Sequence, residues 1–308
     1  MLDLSHINPA NFTLETFVGT NTTAAQNWVA WQKPRGKTMC SIILLGKGGN
    51  GGTGSIGATV AGGGGGSSGT QVNLVMPISY LPDTIYLSLI GKTATAGLIS
   101  YISIYPNTTV NHIIAIGRGG VNGGNAAAGT AGTAGTAPTI PLVSEMPFAW
   151  NYVRVALAGQ AGSAGGGNQA AGGAVTLPVT GLIVTGGTGG GGSDVAAGTA
   201  GLAGGALTVP AQPTLFPAHP GGTAGTAATI APGGGNSGYQ PISNLLFFYG
   251  GTGSGSTYNL ATGAGLTQKP GGNGGYGCGG GGVGAGITGS ASALPGDGGE
   301  SLAIIMCW

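Results

Sequence analysis

The sequence predicts a mainly β protein: a β-sandwich base, jelly-roll-like, whose glycine-rich excursions pack as extended left-handed helices. Three observations predict it. Short apolar, strand-like runs alternate along the chain with glycine tracts. Glycine contributes 71 of the 308 residues, roughly three times the usual share of about 7%. Hydrophobic residues reach 41% while charged residues make up only 5%, whereas disordered chains combine low hydrophobicity with high charge. Collagen does not fit, because the glycines keep no strict triplet register and the 17 prolines do not follow them.

The unit that sets the pattern is 38–69. An apolar run at 39–45 holds Ile42 and Ile43 and stops at Gly46, which makes it a strand rather than a helix. The tract behind it cannot be helical, since each glycine disfavours helix by about 0.8–1.0 kcal/mol relative to alanine. Upstream, 1–37 carries Trp28 and Trp31 and forms an N-terminal segment: either an edge strand and turn on the core or an arm that docks elsewhere. Residues 38–308 form the glycine-rich domain. Strands are predicted at 71–76, 84–90, 98–105 and 111–116, with Pro, Gly, Asn or Asp in the connections, where turns need them. Further strands are expected at 151–158, at 174–177 and 182–185 as a short pair around Pro178, at 207–209, at 244–249 and at 301–308, while 139–143 is undecided.

Six excursions separate these runs: 46–69, 117–137, 159–173, 186–205, 221–238 and 250–299. Where regular, their glycines recur every third residue, as Gly129, Gly132 and Gly135, and as Gly198, Gly201 and Gly204. A left-handed extended helix has three residues per turn and no internal hydrogen bonds. Buried copies must therefore bond to their neighbours, and glycine, lacking Cβ, lets the backbones approach. An even number of crossings between most excursions sends them out from one end of the base. The first and last strands, 40–45 and 302–308, are expected in one sheet, each apolar on both faces.

Several function classes are set aside. A net charge of +1 offers no basic patch for nucleic acid. No apolar run approaches the 18 or so residues that span a bilayer, so membrane insertion is not expected. No positive charge precedes Lys33, unlike a secretory signal. Cys40, Cys278 and Cys307 lack metal-ligand spacing and read as buried free thiols. His6, His112 and His219 have no Cys or carboxylate at ligand spacing. Gly253-Ser254-Gly255 lacks the strand-turn-helix setting of a nucleophile. The runs 62–66 and 189–192 lack the Lys-Ser/Thr of a phosphate loop. The expectation is a protein that is not an enzyme and has no cofactor and no metal.

The ends of the chain carry a resemblance. Trp31-Gln32-Lys33-Pro34-Arg35-Gly36 resembles a Trp-x-x-Pro-x-Gly lead-in, followed by the strand 40–45. Pro295-Gly296-Asp297-Gly298-Gly299-Glu300 followed by Ser301, Leu302, Ala303, Ile304 and Ile305 resembles a Gly-Gly-Asp-Gly-Gly-x-Gly-x-x-Ile-Ile ending. Together they resemble the glycine-rich domain of bacteriophage tail-fibre and receptor-binding proteins, over roughly residues 28–308. The style is similar to polyglycine II tip adhesins, in which bundled helices carry receptor-contacting loops. The sheet-like stretch 71–116 departs from those adhesins and points to a spike, fibre head or capsid-associated protein. The resemblance implies a virion protein made in the host cytoplasm, with other virion proteins as partners. It also implies a homo-oligomer (a trimer by analogy) and a bacterial surface glycan or outer-membrane protein as receptor. It places Asp297 and Glu300 in the turn before the last strand. An assembly protein without receptor contact is the alternative.

Receptor-contact candidates are the polar and aromatic residues midway along the excursions: Asn122, Asn125, Gln160, Asn168, Asp194, Asn236, Tyr239, Tyr258, Lys269 and Tyr276. The tyrosines offer flat apolar faces with a polar edge. Each candidate could equally cap the bundle or face a neighbouring subunit.

Overall fold

Two antiparallel sheets take up the longer strands. The computed structural model describes residues 12–57, 59–178, 181–193, 198–208, 218–227, 231–238, 247–258 and 266–308, and among these the fold is mainly β, with no α-helix. The first sheet is ordered β1 (Thr13–Val18), β13 (Leu302–Cys307), β3 (Met39–Leu45), β5 (Gln71–Pro77) and β9 (Val153–Leu157). The second is ordered β2 (Val29–Gln32), β6 (Thr84–Ser88), β7 (Ile99–Ser103) and β8 (Ile113–Arg118). Four two-residue strands pair in parallel: β4 (Ile56–Gly57) with β12 (Gly286–Ile287), and β10 (Val175–Thr176) with β11 (Leu207–Thr208).

Strands β3 and β13 are direct neighbours, with Leu302 opposite Leu45 and Cys307 opposite Cys40. Their largely apolar sequence, broken only by Ser41, follows from burial on both faces, as in strands covered on each side. Alternate residues Ile42, Leu44, Ala303 and Ile305 join a core with Trp31, Ile85, Leu87, Ile102 and Ile116 of the second sheet. The residues between them, Ile43, Leu45, Leu302, Ile304 and Met306, pack against Leu182, Val184, Phe248 and Cys278 at the foot of the glycine-rich region. Each fully buried Ile or Leu contributes about 1.5–3 kcal/mol. Residues 12–37 give an edge strand to each sheet, tied by the Trp31 indole N–H donating to Glu15 Oε1 at 2.9 Å.

The glycine-rich segments bond sideways, to one another. Residues 62–70 donate every backbone N–H in threefold rotation, at 2.8–3.0 Å. Gly62, Gly65 and Ser68 donate to Gly166, Ser163 and Gln160; Gly63, Gly66 and Gly69 to Val283, Gly280 and Gly277; Gly64, Ser67 and Thr70 to Gly124, Val121 and Arg118. The carbonyls of the same stretch accept from three further segments: Gly49 N donates to Ser67 O, Gly132 N to Gly62 O and Gly187 N to Gly66 O. Segments 185–192, 250–257 and 277–286 are surrounded in the same manner.

Glycine density in the sequence reports this environment. The central stretch 62–66 is all glycine because each of its three faces meets a neighbour; a Cβ on Gly64 would lie 1.9 Å from Thr133 O, and one on Gly187 2.1 Å from Gly280 O. The peripheral stretch 129–136 needs glycine on one face only: Gly132 and Gly135 are buried while Thr133 and Thr136 are exposed. Where a central segment carries Ser or Thr, the hydroxyl takes over as acceptor. Ser67 Oγ accepts from Val121 N at 2.8 Å, Thr188 Oγ1 from Gly253 N at 2.7 Å and Ser254 Oγ from Gly284 N at 2.8 Å.

Three expectations differ from this structure. Residues 174–177 and 182–185 do not pair; β10 pairs with β11, because segments 170–176 and 199–207 run side by side. Residues 182–185 instead turn Leu182 and Val184 onto the first sheet, and Ile183 N donates to Gln71 Oε1 at 2.9 Å. Of the expected strand at 244–249, residues 244–246 lie outside the described residues, and 247–249 form the foot of a lateral segment, Phe248 N donating to Ile183 O. The stretch 250–299, read as one excursion, holds four laterally bonded segments among its described residues: 250–257, 271–275, 277–286 and 296–299.

The lateral packing sets a stability test. Gly64→Ala forces a methyl onto a backbone carbonyl that cannot move alone, and should cost at least the 1–3 kcal/mol typical of overpacking. Gly167→Ala meets nothing within 4 Å and should be neutral or stabilising, by up to about 1 kcal/mol. Denaturant midpoints of the two variants against wild type measure the contrast.

Candidate functional site

The segments reverse at turns, and the turns bond to one another. Gly57, Gly129, Gly198 and Gly289 have φ of 151°, 71°, 82° and 87°, and Gln169 is a non-glycine at 58°. Such values suit glycine and are uncommon elsewhere. Gly129 N donates to Thr59 O at 3.0 Å, and β4 pairs with β12. Tyr258 Oη donates to Gly198 O at 2.9 Å. Gln268, buried, donates through Nε2 to Gly284 O at 2.9 Å, while its Oε1 accepts from Ala293 N at 3.2 Å. Among the described residues, turns far apart in sequence thus meet at the end of the glycine-rich region away from the sheets.

The described residues of this face carry almost no charge. Among the described residues of these turns (56–57, 59, 126–130, 167–170, 198, 258, 266–269 and 287–294), Lys269 is the only charged one. Leu294 is 79% exposed and Ile56 40%, so methyl and hydroxyl groups dominate.

The sequence-derived candidates divide by position. Asn168 is exposed at the turn beside Gln169, Lys269 is exposed beside the turn at 266–268, and Tyr258 spans two turns. Asn122 and Asn125 lie lower, and their Oδ1 atoms accept from Asn50 N at 2.8 Å and Thr53 N at 2.9 Å. Gln160 clamps three segments: its backbone N donates to Ser68 Oγ, its Nε2 to Thr176 O at 2.6 Å, and its Oε1 accepts from Gly186 N at 3.2 Å. Asn236 Nδ2 donates to Pro220 O at 2.8 Å. Tyr276 sits near the sheets, edge-on to Phe248, where both line a cavity of about 280 Å³ with Lys92 and Glu300. Asp194 and Tyr239 lie outside the described residues.

Sequence reading missed a second surface. At the opposite end, past the strand starts, Tyr80, Tyr86, Tyr105 and Phe148 line an open cavity of about 510 Å³. Tyr80 and Tyr105 are more than half exposed. The signal available was the cluster of aromatic residues in the connections flanking 84–105.

Among the described residues, ionisable groups are few, and three ion pairs join Lys33 to Asp83, Lys92 to Asp297 and Arg118 to Glu145. Arg118 bonds Glu145, which holds that carboxyl below its ordinary value. Lys92 lies 3.4 Å from Asp297. Burial lowers the imidazole of His219. Among the described residues, no three of His, Cys, Asp and Glu gather into a metal-ligand group. Lys47 is the buried cation: its Nζ donates to Gly48 O at 2.7 Å, and desolvation pushes it down to about 8, with Asp297 and Glu300 opposing.

The chain matches no protein-family model and no curated protein.

The Lys47 shift sets a pH dependence. Between about pH 8 and 10.5 the unfolded chain holds a proton on Lys47 that the folded chain has released, so stability rises with pH across that window. A depression of this size corresponds to about 3 kcal/mol. Unfolding free energies of wild type and Lys47→Met, measured from pH 7 to 10.5, should show wild type gaining on the variant as pH rises.

Proposed function

We propose that the chain is a bacteriophage virion surface protein, a fibre or spike adhesin with no enzymatic activity, that recognises a host envelope receptor through the joined turns. In this reading the two sheets form a β-sandwich base, and the laterally bonded segments are polyglycine II-type helices that hold the turns rigid. The observation that carries it is the joining of turns distant in sequence, whose described residues are nearly uncharged and expose Leu294 and Ile56. Turn side chains can vary there without disturbing the backbone lattice beneath them. The resemblance of 31–36 and 295–305 to glycine-rich receptor-binding domains supports the same reading. A bacterial surface glycan or outer-membrane protein is the proposed receptor.

The second reading, an assembly protein of the virion without receptor contact, is favoured by the exposed aromatic cavity around Tyr80 and Tyr105. Phage carrying Ile56→Asp and Leu294→Asp should assemble normally yet adsorb to bacteria about tenfold less or worse, a loss of about 1.4 kcal/mol or more. Phage carrying Tyr80→Ala and Tyr105→Ala should adsorb normally. Normal adsorption by the turn variant, together with a fall in particle yield from the tyrosine variant, would establish the assembly reading instead.

A chain with 5% charged residues lacks the charged exterior that keeps proteins apart. The purified protein should therefore sediment as a homo-oligomer, with a trimer proposed, and should remain so at about 1 M salt, where ionic contacts are screened.

A further inference from the structure

We infer that Cys40 and Cys307 are a cross-strand disulfide site, closed by a small-molecule disulfide once the protein leaves a reducing compartment. The two residues stand directly opposite on β3 and β13, with Sγ atoms 3.5 Å apart. The next pair along, Met39 and Trp308, exchanges both backbone hydrogen bonds, at 3.0 and 3.1 Å. Cys40 and Cys307 are therefore a non-hydrogen-bonded pair, the closer kind, with Cα atoms about 4.5 Å apart. That spacing falls inside the roughly 4.4–6.8 Å range of disulfides. Both side chains face the inter-sheet core, so bond formation needs only side-chain rotation. Cys278 lies on the other face of the first sheet, beside Thr185 N, and cannot reach either.

The two thiols are unequal in a way that suits exchange. The hydrogen bond shared by the two thiols holds Cys307 below its ordinary value, while Cys40 is pushed up by that bond and by burial. The thiolate of Cys307 attacks one sulfur of the small disulfide and expels a thiolate, leaving a mixed disulfide. Cys40, deprotonated by that leaving group, then attacks the Cys307 sulfur and expels the second. Two electrons pass from the protein to the small disulfide, and the two protein protons end on the released thiols. The bridge would join residues separated by 267 positions, tying the first strand of the glycine-rich domain to the last. This holds whether or not the receptor reading does.

The test is to refold the protein from denaturant with excess oxidised glutathione, which removes any barrier of access, and to titrate thiols in denaturant. The reduced chain has three free thiols; the oxidised chain should show one, mapped to Cys278, with a mass loss of two hydrogens. Its unfolding midpoint should rise by several degrees, fall back with dithiothreitol, and not respond to oxidant in Cys40→Ser. Three thiols after oxidation, stable glutathione adducts without a bridge, or consumption of Cys278 would each overturn the assignment.

Discussion

Every backbone N–H and C=O taken from water must find a partner, and here most of them find one on a neighbouring extended segment instead of in a helix or a sheet. Such segments touch only where no Cβ intervenes. The distance of 1.9 Å from a hypothetical Cβ on Gly64 to Thr133 O expresses the whole constraint: methyl and carbonyl cannot share that space. Glycine placement, burial of the tracts and the dearth of charge all follow from it. Ordering each residue costs about 1–2 kcal/mol of backbone entropy, so a pair of segments alone would not hold. The central stretch 62–70, bonded on all sides, is where that entropy is offset most fully.

Much of this was legible in the sequence, because the constraint acts locally. A glycine on every third residue marks a segment with one packed face, and an unbroken glycine run marks one packed all round; Gly132 and Gly135 against 62–66 illustrate the difference. The apolar runs of β3 and β13 identified themselves through burial on both faces. Other parts were hidden because the same residue type serves either role. Asn122 and Asn125 are separated by three, the period of the segment, and that spacing fits an acceptor row for Asn50 N and Thr53 N. Their chemistry alone resembles that of a contact residue. The apolar stretch 182–185 looked like a strand because Leu182 and Val184 are buried, yet they serve as a foot under the first sheet. Turn residues such as Leu294 carry no local signal, since exposure depends on which loops meet.

Several hydroxyls inside the lateral array share one role. Ser67, Thr188 and Ser254 each present an oxygen where a neighbouring N–H would otherwise lose its partner. They extend the backbone's own pattern of acceptors and bring no charge. Lys47 differs, and its ammonium is held by Gly48 O and Asn50 Oδ1 close to Asp297 and Glu300. It sits at the foot, where the array meets the sheets and the strict threefold geometry ends.

The position of β13 between β1 and β3 has a consequence for synthesis. While the ribosome is still making the residues before 302, the slot between β1 and β3 is empty, and those two strands have no common neighbour. The lateral segments have their feet on that same sheet through Leu302, Ile304 and Met306, so they too lack part of their floor. The contacts are dominated by residues distant in sequence, which slows folding by the entropy of closing long loops. The second sheet and the pairs β3–β5 and β5–β9 use only residues made before β13. What waits for β13 is the joining of β1 to β3 and the part of the floor that Leu302, Ile304 and Met306 supply.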